Sequence, residues 1–201
     1  MRTTILSGGL SLAMALASST ASAQTEPRYF GQIRAELQAM GLSAQCAAAT
    51  AQSGSCRVST TALAAGAGPS DGAPASNRRY IVGFDYSDVT DTVYVFVDHY
   101  TTVARSAATA DALARRLLDL NWEMLVGKFE WSPASGEVRL GAVLNTDSNF
   151  DRRAFRGVLR TVLRLADRYA DDIARVGGAA VGDSTAPAAA APTAAAAPGT
   201  R

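Results

Sequence analysis

The sequence predicts an α+β domain, in which an antiparallel sheet is accompanied by helices segregated from it. Segments with strand-like alternation come in hairpin pairs, whereas three segments with helical periodicity lie outside those pairs. A parallel sheet would instead need a helix between successive strands. The predicted order of elements is α-β-β-β-α-β-β-α, and the first of the strands is the weakest.

The first predicted helix can be capped by Thr25 and has Pro27 in its first turn. Gly41 is then expected to end the helix, because glycine readily adopts the left-handed backbone conformation found just after a helix. Residues 43–61 fit no single pattern, although 57–61 could form a short strand. The apolar residues on one face of this helix are Phe30, Ile33, Leu37 and Met40.

Two clearer strands follow, over residues 80–86 and 92–103. The second of them carries bulky side chains on both faces, which predicts a central position in the sheet. A second helix is predicted from Thr109, its candidate cap, to Leu120. Its shared apolar face consists of Leu113, Leu117 and Leu120.

A hairpin is predicted from residues 126–131 and 138–144, which flank a turn containing Gly136. The last and longest helix spans residues 151–176 and ends at a pair of glycines. Its apolar stripe consists of Phe155, Val158, Leu159, Val162, Leu163, Ala166, Tyr169 and Ile173.

Residues 1–23 have the three parts of a cleavable signal peptide: a positive charge at Arg2, an apolar run and an A-x-A ending at Ala23. The run is too short to span a bilayer, which needs roughly 20 apolar residues. We therefore expect a periplasmic or secreted protein without a membrane span.

The mature chain is predicted to contain one domain, residues 24–176, with a flexible insertion at about 43–78. Residues 177–201 are rich in alanine and proline and have little apolar bulk, so we expect a disordered tail. The chain has 19 basic and 18 acidic residues. Because the charges nearly balance, the chain has no overall electrostatic field that would attract nucleic acid or a membrane surface.

Cys46 and Cys56 are the two cysteines of the chain. An even count at short spacing in an oxidising compartment predicts a structural disulfide. A redox-active pair is the alternative, although the C-x-x-C spacing is missing.

One surface feature of the last helix is a row of arginines at four-residue spacing. Like charges at that spacing repel one another, so local helix stability does not explain the row. It is either a solvated face or a docking surface for an acidic partner. Its members are Arg152, Arg156, Arg160, Arg164 and Arg168.

No catalytic residue, cofactor or metal site is predicted. His99 is the single histidine, and its strand neighbour Asp98 should point to the opposite face of the sheet. Residues 145–151 begin like a calcium loop, but Phe150 replaces the required glycine and Arg156 the required glutamate. This segment is better interpreted as the cap of the last helix.

The segment from Leu117 to Trp131 (LLDLNWEMLVGKFEW), the turn at Gly136 and the segment from Asn149 to Phe155 (NFDRRAF) resemble the YbjN-type family of bacterial sensory-transduction regulators. The resemblance covers about residues 26–176. It implies a fold like that of type III secretion chaperones, and a domain that binds other proteins, often as a dimer, without known catalysis. The leader and the cysteine-containing insertion depart from the family pattern.

Together these features predict a non-enzymatic, exported regulatory module that binds other proteins in the manner of a chaperone. The expected partner is a protein with an acidic or extended binding segment, and a homodimer is expected as well. An enzyme of unrecognised type and a structural envelope protein tethered by its tail remain as alternatives.

Overall fold

The structure is a computed structural model that describes residues 26–67 and 76–182. These residues form one six-stranded antiparallel sheet, with strand order β1-β2-β3-β4-β6-β5, and three helices. The α+β class with an antiparallel sheet is therefore confirmed. In chain order the elements are α1 (Phe30–Ala39), β1 (Gln45–Thr50), β2 (Ser53–Thr61), β3 (Arg79–Ser87), β4 (Thr92–Thr102), α2 (Ala110–Glu123), β5 (Lys128–Trp131), β6 (Glu137–Asn145) and α3 (Arg152–Gly177).

The sheet has one strand more than the sequence predicts, because β1 and β2 form a hairpin in the segment without a clear pattern. β2 pairs with β3 over its whole length, from Ser53 opposite Ser87 to Thr61 opposite Arg79. Much of the predicted flexible insertion at 43–78 is thus regular structure, while residues 68–75 lie outside the described part. The inward side chains of β2 are Cys56, Val58 and Thr60. The first two are small apolar residues and the third is polar, so together they give only a weak alternating signal.

All three helices lie on one face of the sheet. The ring of Phe155 in α3 packs against Phe84 of β3, with ring centroids 5.5 Å apart. On α1, the ring of Phe30 covers Gly54 of β2 so closely that a Cβ at that position would overlap it. Each fully buried phenylalanine or leucine contributes roughly 1.5–3 kcal/mol. The buried side chains of α3 are therefore a substantial part of the core.

The ends of α1 show where local sequence signals act. The helix begins at Phe30, one turn later than predicted, because the N–H of Phe30 donates to the carbonyl of Pro27 in a preceding turn. Thr25 lies outside the described residues. At the other end Gly41 has a φ of +74°, and the N–H of Leu42 donates to the carbonyl of Leu37 at 3.0 Å. The predicted glycine stop is confirmed.

The caps of α2 and α3 differ. The hydroxyl of Thr109 does not cap α2; it donates instead to the carbonyl of Gly177 at 2.8 Å and so ties the start of α2 to the end of α3. Asp151 caps α3 as predicted, since its carboxylate accepts from the N–H groups of Arg153 and Ala154 at 2.8 and 3.0 Å. The interpretation of residues 145–151 as a helix cap is confirmed.

The first residues of the predicted tail pack against the sheet. Gly178 ends α3 with a φ of +70°. The Thr101 hydroxyl then donates to the carbonyl of Ala180 at 2.8 Å, and Val181 is buried. Residues 183–201 and the predicted signal peptide, residues 1–23, lie outside the described part. Among the described helices, none is both long enough and apolar enough to cross a bilayer.

Candidate protein-binding surfaces

The structure divides the predicted arginine row between two environments. Arg156 donates from Nε to Oε1 of Glu36 on α1, and Nε of Arg152 lies 3.9 Å from the other oxygen of that carboxylate. The side chain of Glu36 is only 2% exposed. An unpaired carboxylate at such a place would be costly. The first two members of the row therefore neutralise a buried charge and help to hold α1 on α3.

The other members, Arg160, Arg164 and Arg168, are exposed. Each four-residue step turns about 40° past a full helical turn, so the row winds round α3 instead of forming one straight ridge. Arg164 donates to the hydroxyl of Thr161, and Arg168 lies over the ring of Tyr169, 5.5 Å from its centroid. A docking role for these three arginines remains a prediction.

The two cysteines form a disulfide across the β1–β2 hairpin, as predicted. Cys46 and Cys56 are direct partners in the strand register, and their Cα atoms are 4.1 Å apart. So short a Cα–Cα distance is typical of two directly opposite residues in an antiparallel ladder that form no backbone hydrogen bonds with each other. The backbone N–H groups of Cys46 and, two residues on, Ala48 consequently point away from β2.

Among residues 26–67 and 76–182, no strand pairs with the outer side of β1, which is therefore an open edge of the described sheet. The strand reads QCAAAT, without a charged residue or a proline, and most of its side chains are exposed. Proteins usually protect such edges with charges, prolines or a covering segment. Here an irregularity of register between Ala48 and Thr50 is the one protective feature in the strand.

The opposite edge, β5, is closed by α2. The side-chain amide of Asn121 donates to the carbonyl of Phe129 at 2.9 Å and accepts from the N–H of the same residue at 2.7 Å. It thus takes the place of a neighbouring strand. β5 is also short, and two of its four residues, Lys128 and Glu130, are charged. In the part of the chain that the structure describes, the sheet therefore has a weakly protected edge at β1 and a closed edge at β5.

A cluster of exposed apolar side chains, here called the α2 patch, surrounds the end of α2. Leu118 and Trp122 lie on the side of the helix opposite its buried leucines. Contiguous exposed apolar side chains of this size are typical of interaction sites. The apolar periodicity of the sequence predicts the buried face of this helix, and the exposed apolar residues fall outside that period. The exposed fractions are 68% for Leu118, 92% for Trp122, 100% for Leu125 and 47% for Val126.

The helix-free face of the sheet holds a cluster of charged groups around Asp98. The register between β4 and β6 shifts between Val97 and Thr101, and His99 has a φ of +47°. His99 Nδ1 therefore lies 3.3 Å from an Asp98 oxygen and 3.7 Å from Glu137 Oε1. The prediction that Asp98 and His99 point to opposite faces is wrong, because the irregularity interrupts the two-residue alternation.

Two arginines supply positive charge to this cluster. Nε of Arg139 is 2.6 Å from Glu137 Oε1 and 3.4 Å from Asp98 Oδ1. The guanidinium groups of Arg57 and Arg139 also lie 4.9 and 5.1 Å from the centroid of Phe96, which they cover. Phe96 is fully buried in consequence.

The two carboxyl groups respond oppositely to this environment. Burial raises the pKa of Asp98, and its hydrogen bond with Glu137 raises that pKa further. Burial alone would raise the pKa of Glu137 too, but hydrogen bonds from Arg139 and Asp98 lower it. The pair is thus arranged to hold a proton on Asp98 more readily than on Glu137.

Asp98, His99 and Glu137 are also the described residues that could approach one metal ion, since their ligand atoms lie within 4.8 Å of one another. The guanidinium of Arg139 occupies the position beside both carboxylates that a cation would need. The arrangement supports a neutralised surface of the sheet better than a metal centre.

Comparison with known families identifies a relationship for the larger part of the chain. Residues 66–175 match the family model YbjN, described as a putative bacterial sensory transduction regulator. The match covers 110 of the 201 residues, from β3 into α3, and leaves out α1 and the β1–β2 hairpin. No curated protein matches the chain.

Proposed function

Because this chain belongs to the YbjN family, we propose that it is a non-enzymatic regulatory module that acts outside the cytoplasm by binding an extended segment of another protein. The observation that carries this proposal is the open, uncharged and disulfide-stapled edge of β1. The predicted signal peptide and a disulfide that suits an oxidising compartment support export.

An extended segment can add to a sheet edge as one more strand, with main-chain hydrogen bonds providing affinity. The alanines at 47–49 leave room on both faces of β1 for the partner's alternate side chains. The Cys46–Cys56 bond fixes β1 before the partner arrives, so little conformational freedom is lost on binding. Because β1 is already ordered as an edge strand, we interpret the β1–β2 hairpin as a binding element and not only as a structural one.

The test uses the N–H of Ala48, which points away from β2. Ala48→Pro removes that donor and leaves the β1–β2 hydrogen bonds in place, whereas Ala48→Val keeps the donor and serves as the matched control. The mature chain, beginning at Gln24, and both variants are used to capture partners from an envelope extract. Proteins retained by the wild type and by Ala48→Val but lost with Ala48→Pro are the expected result.

Crosslinking then locates the contact. A photoreactive residue at position 48 should crosslink the captured protein through an extended segment, and the same residue at Glu130 on the closed β5 edge should not. If Ala48→Pro captures the same proteins as the wild type, the β1 edge is not the binding surface. Loss of capture only when Arg160 and Arg164 are changed to Glu would assign binding to α3.

A further inference from the structure

The first turns of α3 border a depression with a volume of about 520 Å³. We propose that this depression, here called the Gly157 site, binds a phosphate group carried by a small molecule or by a lipid. The site contains no residue of β1, so it is independent of the function proposed above. Its lining consists of four arginines and one glycine, which are Arg152, Arg153, Arg156, Gly157 and Arg160.

The arginines of the site exceed the carboxylates that could neutralise them. Arg152 and Arg156 share the single buried carboxylate of Glu36. Arg153 and Arg160 are exposed and, within residues 26–67 and 76–182, form no ion pair. The unbalanced positive charge suits a phosphate group, which as a monoester carries about two negative charges at neutral pH.

The carboxylates of α3 do not correct this imbalance. Residues 152–166 include no acidic side chain, and the carboxylate of Asp151 is engaged by two backbone N–H groups. Like charges three and four residues apart on a helix repel one another, so a bound anion would relieve the repulsion. The acidic residues of the second half of α3 are held by other elements: Asp167 accepts from Tyr80, Asp171 from Arg78 and Asp172 from Arg116.

Gly157 is a glycine that the fold itself does not require. It lies inside α3, where glycine is destabilising relative to alanine, and its φ is not positive. In the described part of the chain, no atom outside the local helix backbone lies within 4 Å of the position that a Cβ at Gly157 would take. Arg153 lies about one turn before it and Arg160 about one turn after it. The missing side chain therefore keeps the floor of the depression open between two guanidinium groups.

The fold also holds two of the guanidinium groups in place. Arg156 is fixed by its hydrogen bond to Glu36. The guanidinium of Arg160 lies against the turn at residues 62–67, since a Cβ at Gly66 would be 3.4 Å from its Nε. That turn is anchored by buried alanines. Arginines positioned in this way lose little conformational freedom on binding, and each can donate two parallel hydrogen bonds to phosphate oxygens.

Titration of the mature chain with inorganic phosphate, followed by amide chemical shifts at constant ionic strength, tests the proposal. The wild type should bind, with the largest shifts in residues 152–160. Arg153→Gln and Arg160→Gln should each raise the dissociation constant about tenfold, because each removes charged hydrogen bonds to the phosphate. Arg164→Gln is the matched control, since it removes the same charge one turn further along α3 without lining the site, and it should bind like the wild type.

Gly157→Leu separates a built site from diffuse attraction to a basic helix. This substitution keeps every charge but fills the floor of the depression, so phosphate binding should be lost. The Tm should rise at the same time, because leucine is the better helix former. Phosphate binding that survives Gly157→Leu would overturn the proposal, and so would equal losses with Arg153→Gln and Arg164→Gln.

Vesicle flotation distinguishes the two sources of the phosphate group. Vesicles of phosphatidylcholine with phosphatidic acid, whose head group is a phosphate monoester, are compared with vesicles of phosphatidylcholine alone. Flotation with the first kind only, abolished by Gly157→Leu, would identify a lipid as the ligand, whereas binding of soluble phosphate without flotation would identify a small molecule. Binding of neither probe by the wild type would overturn the proposal. Ala48→Pro should bind phosphate like the wild type, so the result is read independently of capture by the β1 edge.

Discussion

Removing the Cys46–Cys56 bond should destabilise the domain by about 3 kcal/mol. The bond closes a loop with a sequence separation of 10 residues, and the chain-entropy relation for a loop of that length gives roughly this value. Small single domains have unfolding free energies of roughly 5–15 kcal/mol, so the loss is a large fraction of the total. For a chain of this size it corresponds to a fall in Tm of about 6–12 °C.

The structure indicates where the effect should be concentrated. Cys56 is fully buried, whereas most of β1 is exposed, so few side-chain contacts besides the disulfide hold this strand. Without the bond, β1 should open locally while the central strands β3 and β4 stay folded. Amide hydrogen exchange should then show lost protection in residues 45–50 and retained protection in β4.

The assay is urea unfolding of the wild type and of a variant with Cys46→Ala and Cys56→Ala. The wild type in a reducing agent should match the variant, and the variant itself should not respond to the reducing agent. An unfolding free energy that changes by less than about 0.5 kcal/mol would refute this reasoning. Such a result would mean that β1 is held by its ladder alone.

Three further predictions concern the core and the sheet face. Arg156→Ala should destabilise the domain by about 2–3 kcal/mol in urea unfolding, because it removes the nearer of the two arginines that neutralise the buried carboxylate of Glu36 and leaves Arg152 at 3.9 Å. Arg164→Ala should cost less than about 0.5 kcal/mol, and equal effects would contradict the division of the arginine row. Gly83→Ala should cost about 1–3 kcal/mol by the same measurement, since the new methyl group overlaps the Phe96 ring, and a neutral result would show that the ring can move. Asp98→Asn should raise the unfolding free energy at pH 7, because a raised pKa means that the charged carboxylate is less stable in the folded than in the unfolded chain. This gain in unfolding free energy should vanish below about pH 4, where the carboxyl group is protonated in both states. A gain that grows on acidification would refute the assignment.

Local patterns in the sequence were sufficient for most of the fold. The three helices, the hairpin around Gly136 and the Asp151 cap follow from periodicity and from residues whose backbone preferences act over a few positions. The disulfide could be predicted in the same way from the spacing of two cysteines. In each case the signal lies in residues that are close in the sequence, at most about ten positions apart.

The tertiary structure alone decided the features on which the proposals depend. The β1–β2 hairpin has weak alternation and forms because β2 finds a partner in β3. His99 meets Glu137 only because the register of β4 and β6 shifts, and Asn121 closes β5 only because α2 lies beside it. The exposure of Trp122 likewise depends on which side of α2 the core covers. Strand pairing and packing join residues far apart in the chain, and no local pattern encodes which of them will meet.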